Sequence, residues 1–292
     1  MWRKRISLAI CLMSSIAVAS AADDPAAGRS KFAQLDDLKI HYTDYGQGAA
    51  ALVFVHGWSC DETVWKEQPS AFVRELRTIT VDLPGHGQSD KPQIAYTMQL
   101  YARALDAVLR DAGVNSAVLV GHSNGAIVIR QFYRDFRAKA RGLIIVDGSL
   151  RQRADAAAME RFIAPLRGPD YPKTAAAAID GMTRVIADEE LRARIKTTIL
   201  ATPQHVSISE LESTLDPDLW KPDAIDVPIL MLLAQQPMWN ADYEKFARTL
   251  VPNLDYEVWD NVSHFLMMER PEEFNAAVLK FLRKHLFLHE RS

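Results

Sequence analysis

The sequence is short of cysteine: it has only two, Cys11 and Cys60, in 292 residues. Two thiols cannot build a disulfide scaffold or a cysteine-rich zinc site. Metal-ligand spacings of His, Asp and Glu are missing too, as are G-x-G-x-x-G and G-x-x-x-x-G-K-[ST]. Resident metal and nucleotide chemistry therefore have no motif behind them, and no cofactor is expected. An excess of one charge is also lacking. Lys and Arg number 34 against 37 Asp and Glu, a net charge of −3, and no basic run offers itself to nucleic acid. After residue 21 no apolar run approaches the roughly 20 residues needed to cross a bilayer. No internal repeat is visible. What remains is 48% hydrophobic and 24% charged, with 13 Gly and 14 Pro. That excludes collagen-like, low-complexity and wholly disordered chains, and the length suits one large α/β domain or two small ones.

The first residues have the three-part layout of an export signal. Arg3, Lys4 and Arg5 precede an apolar stretch from Ile6 to Val18, and Ala19-Ser20-Ala21 supplies a small-residue cleavage site. The expectation is a signal peptide over 1–21, a small polar linker over 22–30, and a periplasmic or secreted protein with no stable membrane anchor after cleavage. Cleavage would also remove Cys11 and leave Cys60 without an internal disulfide partner.

Beyond the linker the pattern alternates. Phe32 to Leu35 and Leu38 to Tyr45 read as half-buried strands. The runs Ala51 to Val55, Thr78 to Val81, Ala117 to Val120 and Leu143 to Val146 are continuously apolar or β-branched, as suits strands buried on both faces. Helical periodicity separates them over Asp61 to Leu76, Thr97 to Ala112 and Gly125 to Phe136. From Gly148 to about Asp226 only proline-punctuated helices are legible. Strands resume at Pro228 to Leu233 and Leu254 to Trp259, with helices from Asp242 to Leu250 and from Pro271 to Leu286. Strand–helix alternation implies right-handed crossovers and a mostly parallel, eight-stranded sheet. The implied organisation is a core over 31–148 and 226–292, with a helical cap over 149–225 inserted after the sixth strand.

Gly121-His122-Ser123-Asn124-Gly125 fits G-x-S-x-G, with a β run directly before it and a helix directly after. Such a turn lifts the serine hydroxyl above the strand end. On these residues, the strand–helix order and the helical insertion, the mature chain resembles the α/β-hydrolase superfamily. A serine hydroxyl at neutral pH needs a base within hydrogen-bond reach. His264 is the candidate: it follows the last strand, and its loop emerges at the same carboxyl edge as Ser123. Members of the superfamily commonly place the third residue, an acid, just past the strand after the cap. Here that stretch is Ala234-Gln235-Gln236-Pro237-Met238-Trp239-Asn240, with no acid before Asp242. The resemblance offers a second location, the end of the strand before the cap, and there stands Asp147. Asp147 is the expected acid and Asp242 the runner-up.

The backbone N–H groups of Asn124 and Trp58 are expected to form the oxyanion hole, Trp58 standing in a family-like His56-Gly57-Trp58 loop. His122, Met238 and Trp239 are candidate pocket residues. Met159, Phe162, Met182 and Ile186 are weaker ones, since helical spacing also places them in a cap core. Cys60 reads as a small apolar filler, His56 and His86 as structural, and His41, His205, His285 and His289 have no partner legible in the sequence. The implied activity is that of a carboxylic ester hydrolase of serine-esterase type acting on small, largely apolar molecules. Lactone, amide or C–C bond hydrolysis on the same residues stays open, as do perhydrolysis, cyanohydrin cleavage and a receptor-like member with little turnover.

Overall fold

A computed structural model of the chain describes residues 27–152 and 155–288; the expected signal peptide, Cys11 and His289 lie outside them. Eight strands form one sheet: β1 (Arg29–Leu35), β2 (Leu38–Tyr45), β3 (Ala50–Val55), β4 (Arg77–Val81), β5 (Ser116–His122), β6 (Ala140–Val146), β7 (Ile229–Ala234) and β8 (Leu254–Trp259). Their spatial order is β1-β2-β4-β3-β5-β6-β7-β8. Only the pairings of β2, with β1 and with β4, are antiparallel. β1 starts at Arg29, inside the expected linker, because β2 is long enough to pair Asp44 with it.

The apolar runs explain this order. Val53, Phe54, Leu119, Val120, Ile144 and Leu232 are fully buried, so both faces of the central strands must be covered. α2 (Met98–Asp111), α3 (Asn124–Asp135) and α8 (Ala241–Leu250) cover one face, and α1 (Pro69–Phe72) and α9 (Pro271–Lys284) the other. Thr97 begins α2 by accepting from Leu100 N at 3.1 Å, a cap of about 1 kcal/mol. Tyr101, Leu105 and Val108 then bury one face of it, at roughly 1.5–3 kcal/mol for each large apolar side chain.

The helix expected from Asp61 to Leu76 is broken. A single 3₁₀ turn, Glu62–Trp65, is followed by α1, which starts at Pro69. Proline has no N–H to continue the ladder from below.

Between β6 and β7 the chain forms α4 (Ala156–Ile163), α5 (Tyr171–Thr183), α6 (Glu189–Leu200) and α7 (Gln204–Ser213). Ile163, Ile179, Ile195 and Ile199 form the apolar underside, continuous with Trp58 and Trp65 of the core. Polar contacts fix the seat. The Trp58 indole donates to Ser207 O at 2.9 Å, Ser59 Oγ to Ser207 Oγ at 2.7 Å, and Thr202 Oγ1 to Ser59 O at 2.9 Å.

Candidate active site

Chain order reverses between β3 and β5: the connection from β3 goes to β4 on one side, and β5 returns on the other. In open parallel sheets a crevice forms at such a switch point, beyond the carboxyl ends of the strands. Trp58 follows β3, Ser123 follows β5, Asp147 follows β6, Gln235 follows β7 and His264 follows β8. The fold thus brings five loops to one edge.

Ser123 adopts φ 53° and ψ −116°. A non-glycine residue held there costs ~1–3 kcal/mol. The surroundings enforce it: Ser123 N donates to Val146 O at 2.9 Å, and both flanking glycines are obligatory. A Cβ on Gly121 would stand 2.4 Å from Gly125 O, and one on Gly125 would stand 2.5 Å from His56 O. The turn can therefore be this sharp only without side chains on either side of the serine.

Asp147 is fully buried, with φ 44°. Its Oδ1 accepts from Ala234 N at 3.0 Å and from the Trp239 indole at 3.1 Å. Its Oδ2 accepts from His264 Nδ1 at 2.6 Å and from Gln236 Nε2 at 3.3 Å. Four donors thus converge on one buried carboxylate, and hydrogen bonds to charged groups contribute about 1.5–3 kcal/mol each. Facing that carboxylate, His264 must carry its hydrogen on Nδ1, which leaves Nε2 of the neutral ring as an acceptor.

The histidine loop is pinned from below. Ser263 N donates to Glu269 Oε1 at 2.7 Å, Arg270 holds Asp260 O and Asn261 O, and the His122 ring donates to His264 O at 2.8 Å. The His122 and His264 rings lie 4.6 Å apart.

Ser123, His264, Trp58 and Asn124 line one cavity of about 670 Å³. Asn124 opens α3, so its backbone N–H has no acceptor within the helix. The insertion closes the cavity with Met159, Phe162, Met182 and Leu211, and the Trp58 ring meets Phe162 edge-on at 6.1 Å. Arg184 stands exposed at its border, with no carboxylate partner among the described residues.

Several sequence expectations need correction. Asp242 is exposed in the first turn of α8, while the Nδ1 of His264 is bonded to Asp147. Trp239 faces away from the cavity, buried under Asp147, and orients the acid instead of contacting a ligand. Met238 packs beside it against the core cluster, and His122 sits beneath His264; neither lines the cavity. Ile186 is buried outside it as well. Cys60 is a buried thiol whose pKa burial pushes far up, which suits a packing role. His56 donates from Nδ1 to Gly57 O and accepts Leu83 N at Nε2. Burial, with His86 nearby, holds its pKa down to about 4, so it stays neutral and ties two loops together.

Missed in the sequence was His41, whose Nδ1 lies 2.8 Å from buried Asp82 and whose Nε2 lies 2.9 Å from Ser30 Oγ. These partners meet only through the pairing of β2 with β1 and β4, and no local signal announces them. Among the described residues, His41, Glu62 and Asp82 could in principle hold a cation. Their atoms are already engaged, however: Asp82 accepts Glu62 N and Gln88 N as well as His41, and Glu62 accepts Thr43 and Thr80 hydroxyls.

Known proteins resemble the chain along most of its length. A 2-hydroxy-6-oxononadienedioate/2-hydroxy-6-oxononatrienedioate hydrolase of Burkholderia vietnamiensis is 28% identical over 273 residues, covering 85% of this chain and 92% of that one. A dihydrolipoyllysine-residue acetyltransferase component of an acetoin cleaving system from Cupriavidus necator is 30% identical over 115 residues; the match spans 39% of this chain but only 31% of that protein. The structure of a thermophilic esterase from Thermogutta terrifontis superposes with a TM-score of 0.75 at 27% identity, over 88% of this chain and 98% of the other. The model of the alpha/beta hydrolase family matches residues 52–277, from β3 into the last helix, and the chain belongs to that family.

Proposed function

We propose that this member of the hydrolase family is a serine esterase that cleaves small, largely apolar carboxylic esters through an acyl-enzyme. One observation carries the reading: a serine on a strained elbow and a histidine oriented by a four-donor buried carboxylate open into the same mainly apolar cavity. In this reading Ser123 Oγ attacks the carbonyl carbon while His264 Nε2 takes its proton, and Asp147 stabilises the imidazolium. The oxyanion is held by the N–H groups of Asn124 and Trp58. His264 then returns the proton to the leaving alcohol. Water, activated by the same imidazole, attacks the acyl-serine, and the carboxylic acid departs. No step needs a cofactor.

The test is a series of p-nitrophenyl esters of increasing acyl length, assayed with wild type and with Ser123→Ala. Turnover with a pre-steady-state burst, abolished in Ser123→Ala, supports the proposal; full activity in Ser123→Ala removes it. A receptor-like protein would acylate once at best.

A second reading is favoured by Arg184 at the cavity border and by the relative named as acting on a dioate. In it the substrate carries a carboxylate. A carboxylate-bearing p-nitrophenyl ester preferred over its neutral counterpart by wild type but not by Arg184→Met would favour this version.

A further inference from the structure

The reaction above makes no use of Glu210, a carboxylate of α7 that is 1% exposed. A charge-bearing side chain is almost never this deep without a partner. Its partners are informative. Glu210 Oε1 accepts from Asn124 Nδ2 at 3.2 Å, and Oε2 accepts from Ser59 N at 3.3 Å. Asn124 is the residue whose backbone N–H stands beside the nucleophile. Ser59 is joined by one peptide bond to Trp58, the other expected oxyanion donor, and is held at φ 55°. One carboxylate thus grips the side chain of one donor residue and the peptide next to the other, and it does so from the helical insertion, 86 and 151 positions away in sequence.

His86 is the third neighbour. His86 Nδ1 lies 3.0 Å from Pro84 O, a group that only accepts, so that nitrogen bears a hydrogen. Nε2 then faces Glu210 Oε2 at 3.2 Å.

We infer that Glu210 is a positioning residue for ester hydrolysis: docked from the insertion, it sets the Asn124 and Trp58 donors at the spacing a tetrahedral intermediate needs. The inference rests on the serine-esterase reading. It makes completion of the oxyanion pocket depend on the seating of α7, so the insertion acts on the chemical step as well as on substrate entry.

The experiment uses the purified full chain and p-nitrophenyl acetate, with phenylboronic acid as a tetrahedral mimic on serine. Removing one oxyanion donor costs about 10²–10³ in rate, and displacing one should cost less. Glu210→Ala is expected to lose at least tenfold in kcat and tenfold in boronate affinity, with KM within threefold. Glu210→Gln, which keeps one acceptor oxygen, falls between. Ser207→Ala is the comparison for docking alone: it removes the hydroxyl that ties the same helix to Ser59 and Tyr171, and it should lower the melting temperature while kcat and boronate affinity stay within threefold.

Wild-type kcat and boronate affinity in Glu210→Ala would overturn the inference, and so would equal losses in Ser207→Ala. If Glu210→Ala does not fold, the near-isosteric Glu210→Gln decides: threefold or greater losses in both kcat and boronate affinity support the role, and smaller ones overturn it. Activity persisting in Ser123→Ala would bring down the esterase reading and this role together. Activity lost in Ser123→Ala but intact in Glu210→Ala would bring down only this role.

Discussion

Two chains of serine, histidine and aspartate run through this molecule, and they make a useful contrast. In one, His264 bonds Asp147 at 2.6 Å beside the Ser123 elbow. In the other, Ser30 Oγ, His41 and Asp82 are linked at 2.9 and 2.8 Å. Judged by hydrogen bonds alone, the second is the more complete. It nevertheless lacks what chemistry needs. Ser30 lies in the regular edge strand β1, paired through its length with β2, whereas Ser123 is raised on a left-handed turn. His41 is sealed beneath the sheet edge, while His264 lines a cavity with two candidate oxyanion donors. A relay of residues is therefore not a site. A strained hydroxyl, oxyanion donors and room for substrate make the difference.

The contrast can be broken or sharpened experimentally. The largest effect is expected at the serines: Ser123→Ala should cut kcat by 10⁴-fold or more, on the order seen for triad nucleophiles, and Ser30→Ala by less than twofold. A fluorophosphonate followed by peptide mass spectrometry should modify Ser123 and leave Ser30 untouched. Next come the acids. Asp147→Asn should cost roughly 10²–10⁴ in kcat by disturbing the tautomer of His264, while exposed Asp242→Asn should be silent in the same assay. Smaller still is Trp239→Phe, which removes one of four donors to Asp147; a loss of about three- to tenfold in kcat is expected.

The smallest effect on activity belongs to His41. His41→Gln should leave kcat within twofold yet destabilise the fold by ~1–3 kcal/mol in urea unfolding. Burial works to lower the pKa of His41, but the hydrogen bond to Asp82 and the charges of Asp82 and Glu62 outweigh it and raise the pKa. A raised folded-state pKa gives stability that is fully present below the unfolded value of about 6.5 and is lost as pH rises through the folded one. The gap between wild type and His41→Gln should therefore be widest near pH 6 and narrow towards pH 9.

Much of this was legible beforehand because it depends on the chain's periodicity. Strand runs, helix stripes and the βα turn at Ser123 put the nucleophile and His264 on one edge, and the glutamines at 235 and 236 directed attention from the usual acid position to Asp147. Side-chain direction was less legible. Trp239 and Met238 follow β7 just as Gln235 and Gln236 do, yet packing turns them under the acid and leaves the glutamines in the cavity wall. The partners of His41 and Glu210 lie dozens of residues away, where only the pairing of strands and the seating of the insertion can bring them.

Asp147 sits where the chain leaves the core, and its N–H is fastened to Leu232 O of the neighbouring strand at 2.8 Å. The acid is thus anchored on the near side of the exit: its other partners, Ala234, Gln236, Trp239 and His264, also lie outside 148–228. Evolution, or a protein engineer, could graft a foreign lid onto this stump and retain the His264 pair. Such a transplant would lose the carboxylate that reaches down to Asn124, unless the new lid carries a replacement at the same depth.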